Sequence, residues 1–102
     1  MGHGDRATAA RMRVIYTRAA LRSLSAIREY IGRENPAAAN RVAVQIVAAC
    51  DRLEYLPERG RPGLQTGTRE LVALWPYVIV YRVTPDAVEI LNIWHGAQSR
   101  DG

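Results

Sequence analysis

Three runs in the last third of the chain leave little freedom in how it folds. Thr68–Leu74, Tyr77–Val83 and Ala87–Trp94 are rich in Val, Ile, Leu, Tyr and Trp, and are separated only by short breaks centred on Trp75-Pro76 and Pro85-Asp86. Residues of these types favour a pleated, half-buried surface, and proline-containing breaks are turn signals. Connections that short join only antiparallel neighbours. The spacing predicts a three-stranded antiparallel meander.

The first half has a different period. Arg13–Thr17 is a short β-branched and aromatic run, hence a first strand. From about Arg18, the residues Leu21, Leu24, Ile27 and Ile31 recur at the spacing of one buried helical face, with Arg22, Arg28 and Arg33 on the wetter side. Glu29 and Arg33 form a supportive i,i+4 pair. Asn35-Pro36 then ends one helix and starts another, because Asn caps well and Pro needs no N–H at the first helical position. The second helix runs to about Leu56 along a stripe of Val42, Ile46, Ala49, Leu53 and Leu56, flanked by Val47 and Cys50. So short a link makes the pair an antiparallel hairpin. Pro57 to Gly67 is a loop. The order β-α-α-β-β-β gives an α+β domain: an N-terminal strand, then a helical hairpin packed on a mainly antiparallel sheet that three C-terminal strands complete. Residues 1–11 read as a flexible arm, with Met12 as an alternative start, 12–98 as the domain, and 99–102 as a tail.

Bulk composition narrows the class without naming it. A chain of 102 residues is one domain, and 48% apolar with 24% charged residues is ordinary for a globular protein. No run approaches the ~20 apolar residues that cross a membrane, and the N-terminus lacks a signal-peptide pattern, so a cytoplasmic protein is expected. Cys50 sits in a helical apolar pattern and reads as a buried small hydrophobe rather than a nucleophile. Every one of the 14 basic residues is arginine and the net charge is +4. Arginine suits contact with nucleic acid or an acidic protein partner. GC-rich coding produces the same bias, so charge alone decides nothing.

Short turns also predict register. With Pro85-Asp86 at a turn centre, Arg82 faces Glu89. With Trp75-Pro76 at the other, Arg69 faces Arg82. Arg69, Arg82 and Glu89 then form one row on the face that carries Val78, Val80, Leu91 and Ile93, and His95 lies at the far edge of that face. Tyr77, Ile79, Tyr81, Val83, Val88, Ile90 and Trp94 make the bulky face that helices would cover. Arg82 reads either as a cross-strand ion pair or as an anion or partner contact, and the adjacent Arg69 favours the second. His95 reads either as an ordinary strand-end residue or as a general acid or base. His3 lies in the arm, no cluster has ligand spacing, and neither metal nor cofactor is expected.

Taken together, several segments resemble the RelE/ParE toxin superfamily of bacterial type II toxin–antitoxin modules across roughly residues 13 to 98. They are Tyr30-Ile31 with Asn35-Pro36-Ala37-Ala38-Ala39, Leu56-Pro57 leading to Gly60-Arg61 and Gly63, Gly67-Thr68-Arg69-Glu70-Leu71, Tyr81-Arg82-Val83, and Val88-Glu89-Ile90-Leu91 leading to His95. The resemblance implies the fold already derived from periodicity. It also implies one of two activities. RelE-like members are ribosome-dependent mRNA endonucleases, and their equivalent of the Tyr77–Val83 strand carries an arginine after the aromatic position. Here that place is Val78. Their last strand typically ends in a catalytic tyrosine, and here Gly96 follows His95 with no tyrosine beyond Tyr81.

ParE-like members lack those groups too, and poison DNA gyrase by binding it. The resemblance therefore implies a non-catalytic gyrase inhibitor, with Arg69, Arg82, Trp94, His95 and Gln98 as target or partner contacts. Its partner would be a cognate ParD-like antitoxin that wraps the toxin into a hetero-oligomer, and direct nucleic-acid binding is not required. The alternative is an mRNA interferase using His95 and Arg82. Alanines such as Ala19, Ala20, Ala37, Ala38 and Ala48 between the hairpin arginines offer close-approach surface for an amphipathic peptide.

Overall fold

A computed structural model of the chain describes residues 12–96. The expected arm at 1–11, the tail at 99–102 and the candidate Gln98 lie outside them. Within the described residues the order is β1 (Arg13–Tyr16), α1 (Arg18–Gly32), α2 (Pro36–Arg52), β2 (Arg61–Pro62), β3 (Arg69–Leu74), β4 (Tyr77–Val83) and β5 (Ala87–His95). The five strands form one sheet in the order β1-β5-β4-β3-β2. β1 runs parallel to β5, while the other pairs are antiparallel. The α+β hairpin-on-sheet fold is the expected one, with β2 added inside the anticipated loop.

Both helix starts follow from their caps. The Thr17 hydroxyl accepts from Ala20 N–H (3.2 Å) and donates to the Ile90 carbonyl (2.8 Å), so one side chain caps α1 and ties it to β5. Asn35 accepts from Ala38 N–H at 3.0 Å, with Pro36 at the first helical position. α2 stops four residues short of Leu56. Its end tightens through i→i−3 bonds from Leu53 to Cys50 and from Glu54 to Asp51, which turns Leu56 out into solvent. Leu21 also departs from expectation. It is 50% exposed, and Ala20 takes its place against the sheet.

The core packs Ala20, Ile46, Ala49, Cys50 and Leu53 against Ile79, Tyr81, Val88, Ile90 and Ile93. Two irregularities in the sheet correct the expected register. Leu74 does face Tyr77 and Arg82 does face Glu89. Between Val72 and Leu74, however, β3 holds an extra residue, so Arg69 sits opposite Tyr81 and not Arg82. In β5, Leu91 is extra between Ile90 and Asn92. That second bulge exchanges Ile93 and Trp94: Ile93 turns under the helices and Trp94 turns away. His95 moves with it, pairing with Tyr77 on the helix-covered face rather than joining the Val78 face.

Candidate functional site

The arginine end of the sheet is a clamp built on β3 and β4. Tyr81 is fully buried and its phenol oxygen accepts the Gly60 N–H at 2.7 Å. Burial raises the Tyr81 phenol above its ordinary pKa, the nearby amide and Arg69 opposing in part. Arg69 donates to the Gly60 carbonyl (2.7 Å) and to the Glu58 carbonyl (3.3 Å). Glu70, buried beside it, accepts from Arg61 at 3.5 Å and from Leu64 N–H at 3.4 Å. Gly60 is required by close approach, because a Cβ there would lie 2.7 Å from the Tyr81 oxygen and 2.8 Å from the Glu70 carbonyl. Gly67 enters β3 at φ +86°, where glycine alone is comfortable. The Gly67-to-Leu71 segment thus folds its charged groups onto the Pro57–Gly67 loop. Arg82, on the other face, is bonded to Glu89 at 3.0 Å in an exposed pair.

The opposite end holds the remaining candidates. The His95 ring meets Tyr77 edge to face, with centroids 5.7 Å apart and planes at 83°. With Ala26, Ile27 and Tyr30 of α1 these two rings line a cleft of about 250 Å³. His95 Nδ1 is buried, and no described residue hydrogen-bonds it. Trp94 faces the other way, opposite Val78, near the exposed Trp75. Gly96 N–H bonds the Pro76 carbonyl there at 2.6 Å.

Arg82 and His95 are not brought together. Their positions on β4, Arg82 and the Tyr77 that pairs with His95, are five residues apart, or about 17 Å along the strand, and on opposite faces. Val78 is 2% exposed, so the place where a nuclease arginine would stand is buried in this chain. Among the described residues no three His, Cys, Asp or Glu side chains cluster as metal ligands. Burial pushes the Cys50 thiol up to about 12, which keeps it protonated and unreactive near neutrality. Burial likewise raises the Tyr16 phenol, which donates to Asp51 at 3.1 Å. No described helix is long and apolar enough to cross a membrane.

A third feature was only half visible in the sequence. Between α1 and α2 runs an open groove of about 530 Å³, lined by Leu24, Ala43, Val44, Val47 and Ala48, with Arg28, Asn40 and Asp51 at its rim. Val44 is 66% exposed. The alanines signalled close approach. Val44, two residues from the buried Ile46 and so on the far side of α2, was the unused signal of an apolar outer face.

Residues 14–100 match the family described as the ParE toxin of the type II toxin–antitoxin system, parDE. The chain belongs to the ParE toxin family. The toxin is 49% identical over 86 residues to "Toxin RelE2" of Caulobacter vibrioides, covering 83% of this chain and 96% of that one. It is 47% identical over 89 residues to "Putative toxin Y4kP" of Sinorhizobium fredii, covering 86% and 92%. Among solved structures it resembles a chain of the chromosomal ParDE system from P. aeruginosa, with TM-score 0.77 and 28% identity over 84% of this chain and 97% of that one. It is a type II toxin–antitoxin toxin, and its family works with a cognate antitoxin.

Proposed function

We propose that the toxin acts by binding DNA gyrase, without catalysis of its own, in the cytoplasm. The observation that carries this reading is the separation of Arg82 from His95, on opposite faces and at opposite ends of β4. Cleavage of RNA without a metal needs a base, an acid and a cation around one phosphate. The buried Val78 supports the same reading, since nothing there reaches toward a phosphate. On the sheet face away from the helices, Arg82 and Trp94 are the target contacts, with Gln98 beyond the last described strand residue. Arg69 and His95 serve elsewhere, the first in the loop clamp and the second toward the partner.

The antitoxin docks on the hairpin. Its groove is apolar along Leu24, Val44 and Val47, and Arg28 at its rim makes no ion pair among the described residues. An amphipathic helix with acidic flanks fits both properties. Purified toxin should inhibit gyrase supercoiling and leave ribosome-bound mRNA intact, and added antitoxin should restore supercoiling. Codon-specific mRNA cleavage with gyrase unaffected would overturn the reading in favour of the nuclease.

A further inference from the structure

The two edges of the sheet are not alike. At one edge, β2 is two residues long and one of them is Pro62, a short, proline-blunted end that resists further pairing. At the other, β1 is a four-residue strand that pairs, among the described residues, only with β5. Its peptide groups turn alternately toward β5 and away from it. Thr17 N–H bonds the Ile90 carbonyl at 3.1 Å, so Ile15 and Arg13, in the same phase, also turn toward β5. Met12, Val14 and Tyr16 then turn outward. The Glu54 carbonyl takes the Met12 N–H at 2.8 Å from that outer side, in agreement with the phase. No described residue takes the backbone amide or carbonyl of Val14 or Tyr16 at that edge.

We propose that this edge pairs with β1 of a second copy of the chain, antiparallel about a two-fold axis at Ile15. The phase of β1 leaves one register that works. With Ile15 opposite its counterpart, Val14 of each copy faces Tyr16 of the other, and these outward groups exchange their N–H and C=O bonds. An axis at Val14 would need the Met12 amide, which Glu54 holds, and an axis at Tyr16 would need Arg18, which already belongs to α1. The side chains agree with this register. Ile15 is 37% exposed, on the face away from the core that Val14 and Tyr16 join, and it covers its counterpart. Arg13, the charged residue of the strand, lies across from Thr17 and not from its own copy, so like charges do not meet. Beyond Thr17 each chain enters α1 alongside residues 54–56 of the other copy. Leu21, Tyr55 and Leu56, exposed by 50%, 57% and 57% in one copy, are the side chains that this contact covers. An edge and flanks that complement themselves under one rotation select a second copy over an unrelated strand. The paired sheets are continuous, with both Arg82–Glu89 rows on the same side.

The test is sedimentation equilibrium of the whole toxin without antitoxin. Its mass should rise towards that of two chains between about 1 µM and 1 mM, the range in which a small interface associates. A mass that stays at one chain overturns the proposal. Ile15→Lys sets like charges at the axis and should weaken the association at least ~10-fold, as should Ile15→Glu. Mixing the two variants should restore it, because Lys then faces Glu across the axis. Variants that associate as the wild type does, or a mixture no tighter than its parts, overturn the pairing at Ile15. Should a variant unfold, wild-type protein still decides. Hydrogen exchange at the Val14 and Tyr16 amides should slow as the toxin concentration rises, and unchanged rates overturn the proposal. If the wild type is monomeric and Ile15→Lys instead weakens antitoxin binding, the edge takes an antitoxin strand and the second copy is excluded.

Discussion

The loop clamp and the flanks of α1 use their polar and apolar groups in opposite ways. At the clamp, Gly60, Glu70 and Tyr81 are buried and bonded to one another's neighbourhood, and the half-buried Arg69 holds two loop carbonyls. Along α1 and α2 the reverse holds. Leu21, Tyr30 and Val44 are exposed, and His95 Nδ1 has no described partner. The clamp is complete by itself, whereas the hairpin leaves large apolar side chains exposed. Arg69 and Glu70, which look functional in the sequence, thus hold the loop in place, while the hairpin, which reads as plain helix, keeps exposed apolar side chains.

Four substitutions would break or sharpen that contrast. Gly60→Ala should have the largest effect, about 2–4 kcal/mol lost from folding, because neither Tyr81 nor the β3 backbone can yield to the new methyl. Thermal denaturation measures it, and a loss below ~0.5 kcal/mol would mean the clamp is loose. Val44→Glu should cost about 100-fold in antitoxin affinity, or ~2.8 kcal/mol, while folding changes by no more than ~0.5 kcal/mol. Equal losses in folding and affinity would erase the distinction between the two regions. Arg69→Ala should destabilise the fold by roughly 1–2 kcal/mol, since two loop carbonyls lose a charged donor. Arg82→Ala should cost less than ~1 kcal/mol, as its pair with Glu89 is exposed. If the Arg82 variant keeps its stability but loses gyrase inhibition, Arg82 contacts the target. If it keeps both, that role is excluded.

Much of this architecture was legible in the residue pattern. The Asn35-Pro36 cap, the hairpin, the three C-terminal strands and the Arg82–Glu89 pairing follow from short-range chemistry, and each appears where expected. What escaped were the two bulges. Neither the extra residue in β3 near Ala73 nor Leu91 in β5 carries a glycine or another local mark. Both belong to how neighbouring strands pair, which is not written in either strand by itself. Each shifts the alternation by one, so the errors fell on the site residues beyond the bulges. Arg69 lost its place beside Arg82, and His95 crossed to the other face. The hairpin groove was hidden for a different reason: periodicity finds the buried stripe of α2 and says nothing of a valine left on its outer side.

The partner of β1 has a consequence for how the molecule is made. The first strand can only be held by the last one, and Thr17 reaches Ile90 across 73 positions of chain. Contacts of such separation form late and wait for the intervening chain. A ribosome must therefore release nearly the whole polypeptide before the sheet closes and α1 is anchored to it. Until then the hairpin has no finished floor beneath it. The surface that the finished sheet presents therefore exists only once almost all of the described chain has been made.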